Sequence, residues 1–416
     1  MADPGVAVGA HVERILGSVA PLAPVTLPLG DAVGLVSAAD VAAAVSLPRF
    51  DHAAMDGYAV RAADVASATP ATPVVLPVAG VVAAGDAVEP VLAPGTAWRI
   101  MTGAPVPAGA DAVVPFEWTD RGRVQVRIDD AAPVARHIRR AGEDVVEGTV
   151  AVARGTVLAP RHLALLAAVG TAAVSVHPAP RVAVVVTGQE LAVPVEGESA
   201  LAGLAGLPGH VHDSNSVALV AAARAAGAQV TAYGPVPDDT RVLLEQLALA
   251  AESSDLVVTT GGVSAGDHDV VKAALRERDG FWFGSVAVKP GRPQGAGAVV
   301  AADGRAVPVV SLPGTPVAAY SSFRLFAEPA IRALAGQRPD AVARAVLDAP
   351  VEVAADRTLV LPAAYVAPGR VAQLAGHVGH SQRLLAAADV LLVVPPGDAP
   401  LAAGAEVAIL PLGLPA

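Results

Sequence analysis

From Arg181 to Leu334 the chain alternates short β-branched runs with longer amphipathic segments, and this alternation restricts the possible folds more than any other feature. Val182–Val186 reads as a strand. A helix follows, capped by Asp213 or Ser214 and running to Ala226, with Gly227 after it. Gln229–Tyr233 is the next strand and Asp238–Glu252 the next helix, with Val242, Leu243, Leu247 and Leu249 on its apolar side. Leu256–Val258 is a buried strand, followed by a helix that opens near Asp267 or His268 and runs to Arg278. Val286–Val288, Val299–Ala301 and Val307–Leu312 read as further strands. Pro316 opens a last helix to Leu334, at a first-turn position where a missing N–H does no harm. Such alternation predicts a parallel sheet covered by helices on both faces, with ligands beyond the C-terminal strand ends. The strand tips carry Thr187-Gly-Gln-Glu190, Thr259-Thr-Gly-Gly262, Lys289-Pro-Gly-Arg292 and Pro313-Gly-Thr-Pro316, all expected to face one crevice.

Within that crevice the stretch Asp255–Asp269 is the most informative. Gly261-Gly262 ends its strand, Gly266 precedes the next helix, and a turn of this kind points backbone N–H groups at whatever sits above it. Phosphate is the usual occupant. Asp267 and Asp269 have the wrong sign for phosphate but suit a magnesium ion that neutralises one. Lys289 and Arg292, at another strand end, read as binding cations. The histidines are scattered, with His210 and His212 in one loop and His268 between two acids, and they do not support a zinc site.

The flanking segments read differently. His11 to Val19 has helical spacing, and Pro160 to Val169 is an apolar helix ended by Gly170. Between them Val74–Val82, Ala97–Met101, Ala112–Phe116 and Val124–Ile128 are short strands separated by Pro/Gly turns, a small barrel or sandwich. This predicts a helical and mixed stalk domain over 1–45 and 144–180, the helices on either side packing together and carrying an inserted β-rich domain over 46–143. Residues 181–335 form the three-layer α/β domain, its sheet rich in parallel strands. A small C-terminal β domain covers 336–416, with strands at Val351–Val353, Thr358–Leu361, Val371–Leu374, Val390–Val394 and Val407–Leu410. The basic turn Arg136, His137, Arg139, Arg140 reads as a solvated charged surface.

At 416 residues, two to four domains are expected, and 53% hydrophobic residues supply their cores. A net charge of −11 with no basic stripe argues against nucleic-acid binding. The absence of cysteine excludes disulfides, thiolate metal sites and cysteine nucleophiles. Residues 162–180 are uncharged but interrupted by Gly170, His177 and two prolines, so they read as protein core, and no membrane association is expected. The N-terminus lacks a basic segment followed by an apolar one, so no signal peptide is expected, and cytoplasm is the expected location.

Taken together, eight motifs resemble the molybdopterin molybdenumtransferases, the molybdenum insertases to which the E domain of gephyrin belongs. They are Leu47-Pro-Arg-Phe-Asp-His-Ala-Ala-Met-Asp-Gly-Tyr-Ala59, Met101-Thr-Gly-Ala-Pro-Val-Pro-Ala-Gly-Ala-Asp111, Gly142-Glu-Asp144, Thr187-Gly-Gln-Glu190, Asp213-Ser-Asn215, Gly261-Gly-Val-Ser-Ala-Gly-Asp-His-Asp269, Lys289-Pro-Gly-Arg-Pro293 and Leu312-Pro-Gly-Thr-Pro316. The resemblance implies an elongated homodimer whose cleft lies between one subunit's α/β domain and the partner's β domains. It implies magnesium-dependent hydrolysis of adenylylated molybdopterin, insertion of molybdate into the dithiolene, and release of AMP. By motif match, Asp56, Asp144, Glu190, Asp213 and Asp269 are the functional acids, and Asp267 and Asp269 hold magnesium. Thr102, Gly261, Gly262, Ser264, Gly266, Lys289, Arg292, Pro313 and Gly314 bind substrate. A molybdopterin adenylyltransferase and apo-molybdoenzymes are implied as partners. The chain departs from the family pattern at Ala54, where Ser is frequent, Arg292 for Lys, Thr315 for Asn and Ala318 for Ser. Two alternatives stand beside this reading: an adenylyltransferase, which shares the α/β domain, and a non-catalytic molybdopterin-binding scaffold.

Overall fold

The structure is a computed structural model that describes residues 5–86, 90–193, 204, 209–264, 269–337, 342–376 and 379–413. Its central sheet has six strands in the spatial order Gln229–Val236, Arg181–Thr187, Leu256–Thr260, Ala306–Leu312, Pro293–Val300 and Trp282–Ser285. The first four are parallel, and Val182–Val186 and Leu256–Thr260 are buried throughout, as strands covered on both faces must be. Pro293–Val300 runs antiparallel to both of its neighbours, Ala306–Leu312 and Trp282–Ser285, which is where the sheet departs from simple alternation. Only a short link joins Val300 to Ala306, too short for a crossover, so the chain turns back as a hairpin. The strand expected at Val286–Val288 is accordingly displaced: Trp282–Ser285 joins this sheet, while Val288–Lys289 pairs with Thr358–Leu359 of the C-terminal domain.

One face of the sheet is covered by Asn215–Ala225, through Leu219 and Ala223, and by the last helix, through Phe323, Phe326, Ile331 and Leu334. The other face is covered by Thr240–Ser253, through Leu243, Leu247, Ala250 and Ala251, and by Val270–Leu275. Each fully buried Leu or Phe contributes about 1.5–3 kcal/mol. Asp239 caps the Thr240 helix by accepting from the N–H groups of Arg241 and Val242 at 2.8 and 3.1 Å. The helix after the glycine loop ends at Leu275 rather than Arg278, and its expected start at Asp267 or His268 lies outside the described residues. The last helix is not uniform: Pro316–Ser322 is α, Phe323–Ala327 is π, and Glu328–Leu334 is α again. Pro329 lacks an N–H and its ring crowds the preceding turn, and the wider turn absorbs both.

Around residues 57–128 lies a five-stranded sheet ordered Ala112–Pro115, Gly57–Val60, Ala97–Ile100, Val74–Val82 and Gln125–Ile128, packed around Tyr58, Val60, Val114 and Ile128. Val25–Pro28 and Val36–Ser37 flank Ala173–His177 in a separate three-stranded sheet, next to the helix Pro160–Ala168. The first helix, Val8–Leu16, does not pack on Pro160–Ala168 as expected. It docks on the α/β sheet through Ile15 and His11, whose ring lies 5.0 Å from Trp282 and 4.7 Å from Phe326.

The C-terminal strands close into a barrel in the order Thr358–Ala367, Arg370–Gln373, Arg344–Leu347, Glu406–Pro411 and Val390–Val394, the last pairing back to the first. Val351 makes only an isolated bridge to Leu401, so the strand expected at Val351–Val353 is not formed. The barrel is tied to the α/β sheet by a shared apolar core that includes Val360 and Leu391, by the Val288–Lys289 pairing, and by Arg324, which donates to the Pro411 carbonyl at 2.8 Å.

Candidate functional site

The glycine loop and its neighbours are fastened by one asparagine. Asn215 Nδ2 donates to Thr260 Oγ1 at 3.1 Å and to the Gly314 carbonyl at 2.7 Å, while Thr260 Oγ1 donates to the Pro313 carbonyl at 2.8 Å. The tip after Leu312 and the tip after Thr260 therefore form one surface. Gly261 has φ +95°, and a Cβ there would lie 2.7 Å from the Thr187 carbonyl, so only glycine lets these strand ends meet. Thr187, Gly261, Gly262, Pro313 and Gly314 are thus brought together, as the spacing predicts.

The acids surround this floor in different ways. Glu190 is exposed and its carboxylate folds back over Gly188, where a Cβ would meet it at 2.8 Å. Asp213 is buried, and its Oδ1 accepts from the Ser216 N–H at 3.0 Å while Oδ2 accepts from the Ser216 hydroxyl at 2.5 Å. A short parallel ladder, Leu191–Ala192 against Val211–His212, brings the Glu190 and Asp213 segments side by side. Asp269 opens the helix Val270–Leu275. Its Oδ1 lies 3.4 Å from Ser264 Oγ, and its Oδ2 is buried with no hydrogen-bond partner among the described residues. Gly266 and Asp267 lie outside the described residues.

A carboxylate oxygen left unpaired in a buried position calls for a cation. Among the described residues no group of three His or acidic side chains gathers as a metal site. Magnesium does not need one, because it is commonly held by one or two carboxylates together with substrate phosphates. Asp269 fits that role.

The cations stand at the junction with the barrel. Lys289 is exposed and belongs to the strand pair with Leu359, and the Thr358 N–H donates to the Ala287 carbonyl at 2.9 Å. The same stretch of barrel carries Arg357, whose guanidinium bonds Asp356 from Nε at 2.7 Å and Nη2 at 2.5 Å. Arg357 holds the Asp356 carboxyl below its ordinary range, with a smaller contribution from Arg292. Barrel and crevice therefore share one basic corner.

A second cluster sits on the β module. Asp56 Oδ1 accepts from the Thr102 N–H at 2.7 Å and from the Thr102 hydroxyl at 2.8 Å. These bonds, backbone first, hold its carboxyl below the usual range, and Arg99 adds to the effect. Asp144 is exposed, and its N–H donates to the Leu47 carbonyl at 3.0 Å. The basic turn is not merely solvated. Ile138–Arg139 pairs with His52–Ala53, and Asp51 accepts from the Ala141 N–H at 2.8 Å and pairs with Arg140. The 47–57 loop, which carries Asp51 and Asp56, is in this way fastened to Thr102, Ala141 and Asp144, far along the chain.

Sequence reasoning passes over Asn215 as a site residue, although the Asp213-Ser-Asn215 motif contains it, and over Thr260, Arg357, Asp51 and Gln294. The strand tip was the available signal for Thr260. Nothing in the sequence singles out Gln294. Of the departures from the family pattern, Ala54 donates its N–H to the His137 carbonyl at 2.8 Å, Thr315 is the N-cap of the last helix with no side-chain cap bond, and Ala318 is buried.

Comparison with known proteins covers almost the whole chain. Residues 6–170 match the MoeA N-terminal region (domain I and II), residues 183–333 a domain described as "Probable molybdopterin binding domain", and residues 344–412 the MoeA C-terminal region (domain IV). Molybdopterin molybdenumtransferase 2 of Mycobacterium tuberculosis is 43% identical over 398 residues, covering 93% of this chain and 94% of that protein. Molybdopterin molybdenumtransferase of Synechococcus elongatus is 36% identical over 335 residues, covering 78% and 79%. The crystal structure of the molybdopterin biosynthesis moeA protein of Pyrococcus horikoshii superposes with a TM-score of 0.81 at 28% identity, covering 97% of this chain and 99% of that one.

Proposed function

The chain belongs to the molybdopterin molybdenumtransferases, transferases of molybdenum-cofactor biosynthesis, and we propose that it hydrolyses adenylylated molybdopterin with magnesium, inserts molybdate into the dithiolene and releases AMP. The single observation that carries this reading is the buried, unpaired Asp269 Oδ2 beside a floor of strand tips fastened by Asn215. The Gly261 N–H is taken up by the Leu312 carbonyl at 3.2 Å, so the backbone N–H groups of Gly262 and Gly314 receive the phosphates, and Lys289 and Arg292 hold an oxyanion. Asp213 keeps the start of its helix fixed through Ser216, and Glu190 faces the same side with its carboxylate free to orient a proton-bearing group. Asp269, with Asp267, would hold magnesium, which when bound offsets phosphate charge and favours cleavage of the anhydride. The dithiolene sulfurs belong to the substrate, which agrees with a chain free of cysteine.

Asp56 lies just before the strand Gly57–Val60 of the β module, and Asp144 donates its N–H to the Leu47 carbonyl, so neither belongs to the sheet that forms the crevice. We place them opposite the crevice of a second copy, so that a homodimer forms two shared clefts. The adenylyltransferase that makes the substrate and the apo-enzymes that receive the product are its partners in the cytoplasm. Among the described residues no helix is long and apolar enough to cross a membrane.

Incubation of the purified chain with adenylylated molybdopterin, magnesium and molybdate tests this directly. AMP release together with reconstitution of a molybdenum-free enzyme is expected. No AMP release at any molybdate concentration rules the reading out. AMP release without reconstitution indicates a lost molybdate site.

A further inference from the structure

Gln294 lies in the strand Pro293–Val300 with no exposed surface. Its Nε2 donates to the Gly291 carbonyl at 2.6 Å and to Ser322 Oγ at 2.7 Å, while its Oε1 is buried with no hydrogen-bond partner among the described residues. An apolar side chain of similar volume would fill this position without leaving an acceptor unpaired, so the amide is a costly choice for packing alone. What it does that methionine would not is hold the Gly291 carbonyl.

Gly291 lies between Lys289 and Arg292. Its φ is +96°, and a Cβ there would lie 2.6 Å from Ser322 Oγ, so the loop backbone is seated directly on the last helix. Ser322 is buried and is the final residue before the π turn Phe323–Ala327. The loop is closed at its base by the Val286 N–H donating to the Arg292 carbonyl at 2.7 Å, and it is joined to the barrel by the pairing of Val288–Lys289 with Thr358–Leu359. Gln294 supplies a further tie, at the middle of the segment that carries both cations.

We propose that Gln294 is a positioning residue which, anchored on Ser322, fixes the Gly291 carbonyl and so sets Lys289 and Arg292 at the spacing an oxyanion requires. This rests on the reading of the Lys289–Arg292 loop as the oxyanion loop. Preorganised cations lose little freedom on binding, whereas a loop released from Gln294 must be ordered each time.

The test is equilibrium dialysis of the full-length chain with molybdate, alongside steady-state AMP release. Gln294→Met is expected to weaken molybdate binding about tenfold and to raise the KM for molybdate equally, with kcat and the KM for the pterin nucleotide changed less than about twofold. Gln294→Glu is expected to weaken it further, because a carboxylate cannot donate to the Gly291 carbonyl and repels the anion. Ser322→Ala keeps the Gly291 bond and is expected to give a smaller rise. A purely structural role would lower the melting temperature without separating the two KM values, and that result overturns the proposal. Lys289→Ala and Arg292→Ala distinguish the underlying reading. If both lose molybdate while the Gln294 variants bind like the parent, the positioning role is overturned and the oxyanion loop stands. If both bind like the parent, the oxyanion loop falls and the positioning role with it. Should Gln294→Met fail to fold, Ser322→Ala decides: an unchanged KM for molybdate overturns the proposal.

Discussion

Asp56 shows how one residue is prepared for its role. Two donors from Thr102 converge on one carboxylate oxygen and favour the ionised form. Because its folded pKa is depressed, Asp56 contributes stability that is present above the ordinary carboxylate range and lost as pH falls through the folded value. Thr102→Ala removes the hydroxyl bond and keeps the N–H bond, so the Asp56 carboxyl is expected to titrate at higher pH, read by NMR of the side-chain carboxyl carbon. An unchanged titration would show that the hydroxyl does not act on it. Asp269→Asn keeps shape and removes charge at an oxygen that has no partner. It is expected to leave the melting temperature nearly unchanged and to abolish magnesium-dependent AMP release, and full activity would remove Asp269 from the mechanism.

At the scale of elements, the fastening of strand tips carries the site. Asn215→Ala deletes two hydrogen bonds and strands the buried Thr260 acceptor, while the exposed Gly314 carbonyl turns to water, at a cost of about 1–3 kcal/mol. Thermal unfolding checks this, and an unchanged melting curve would mean that the tips hold without it. The docked helix Val8–Leu16 gives a prediction of its own. Burial, helped by Arg14, pushes the His11 imidazole down to about 4. Below its ordinary value of about 6.5 the unfolded chain takes up a proton that the folded chain refuses, so stability is complete above that value and falls as pH drops towards 4. His11→Leu is expected to flatten the pH dependence of the melting temperature across this window.

These elements also show what a sequence discloses. Buried runs such as Val182–Val186 and Leu256–Val258 are readable because burial on both faces demands unbroken apolar residues. The hairpin that reverses Pro293–Val300 and the stitch of Val288–Lys289 onto the barrel are not, because two residues carry no periodicity and pairing partners lie far along the chain. The acids and glycines of the crevice are legible as motifs. Asn215, Gln294 and Arg357 are legible only through their partners in space, for an amide or a guanidinium in a sequence does not announce what it will bond. Helical spacing in the first segment was readable, but not the surface it covers.

The whole molecule is a set of sheets, and the α/β sheet and the barrel share one apolar core. Glu190, Asp213 and Asp269 lie in loops of the α/β domain, whereas Asp56 lies just before the strand Gly57–Val60 of the β module and Asp144 donates its N–H to the Leu47 carbonyl. The proposed function requires the two to face one another across a dimer. Sedimentation of the purified chain is expected to give twice its 41.2 kDa. The most direct measurement is complementation between two inactive variants, Asp56→Asn and Asp269→Asn, mixed under conditions that exchange subunits. Random exchange makes half of the dimers mixed, each with one intact cleft, so AMP release is expected to return to about a quarter of the parent rate. If the cleft is instead built within one chain, every cleft in the mixture carries a substitution, and the mixture stays inactive.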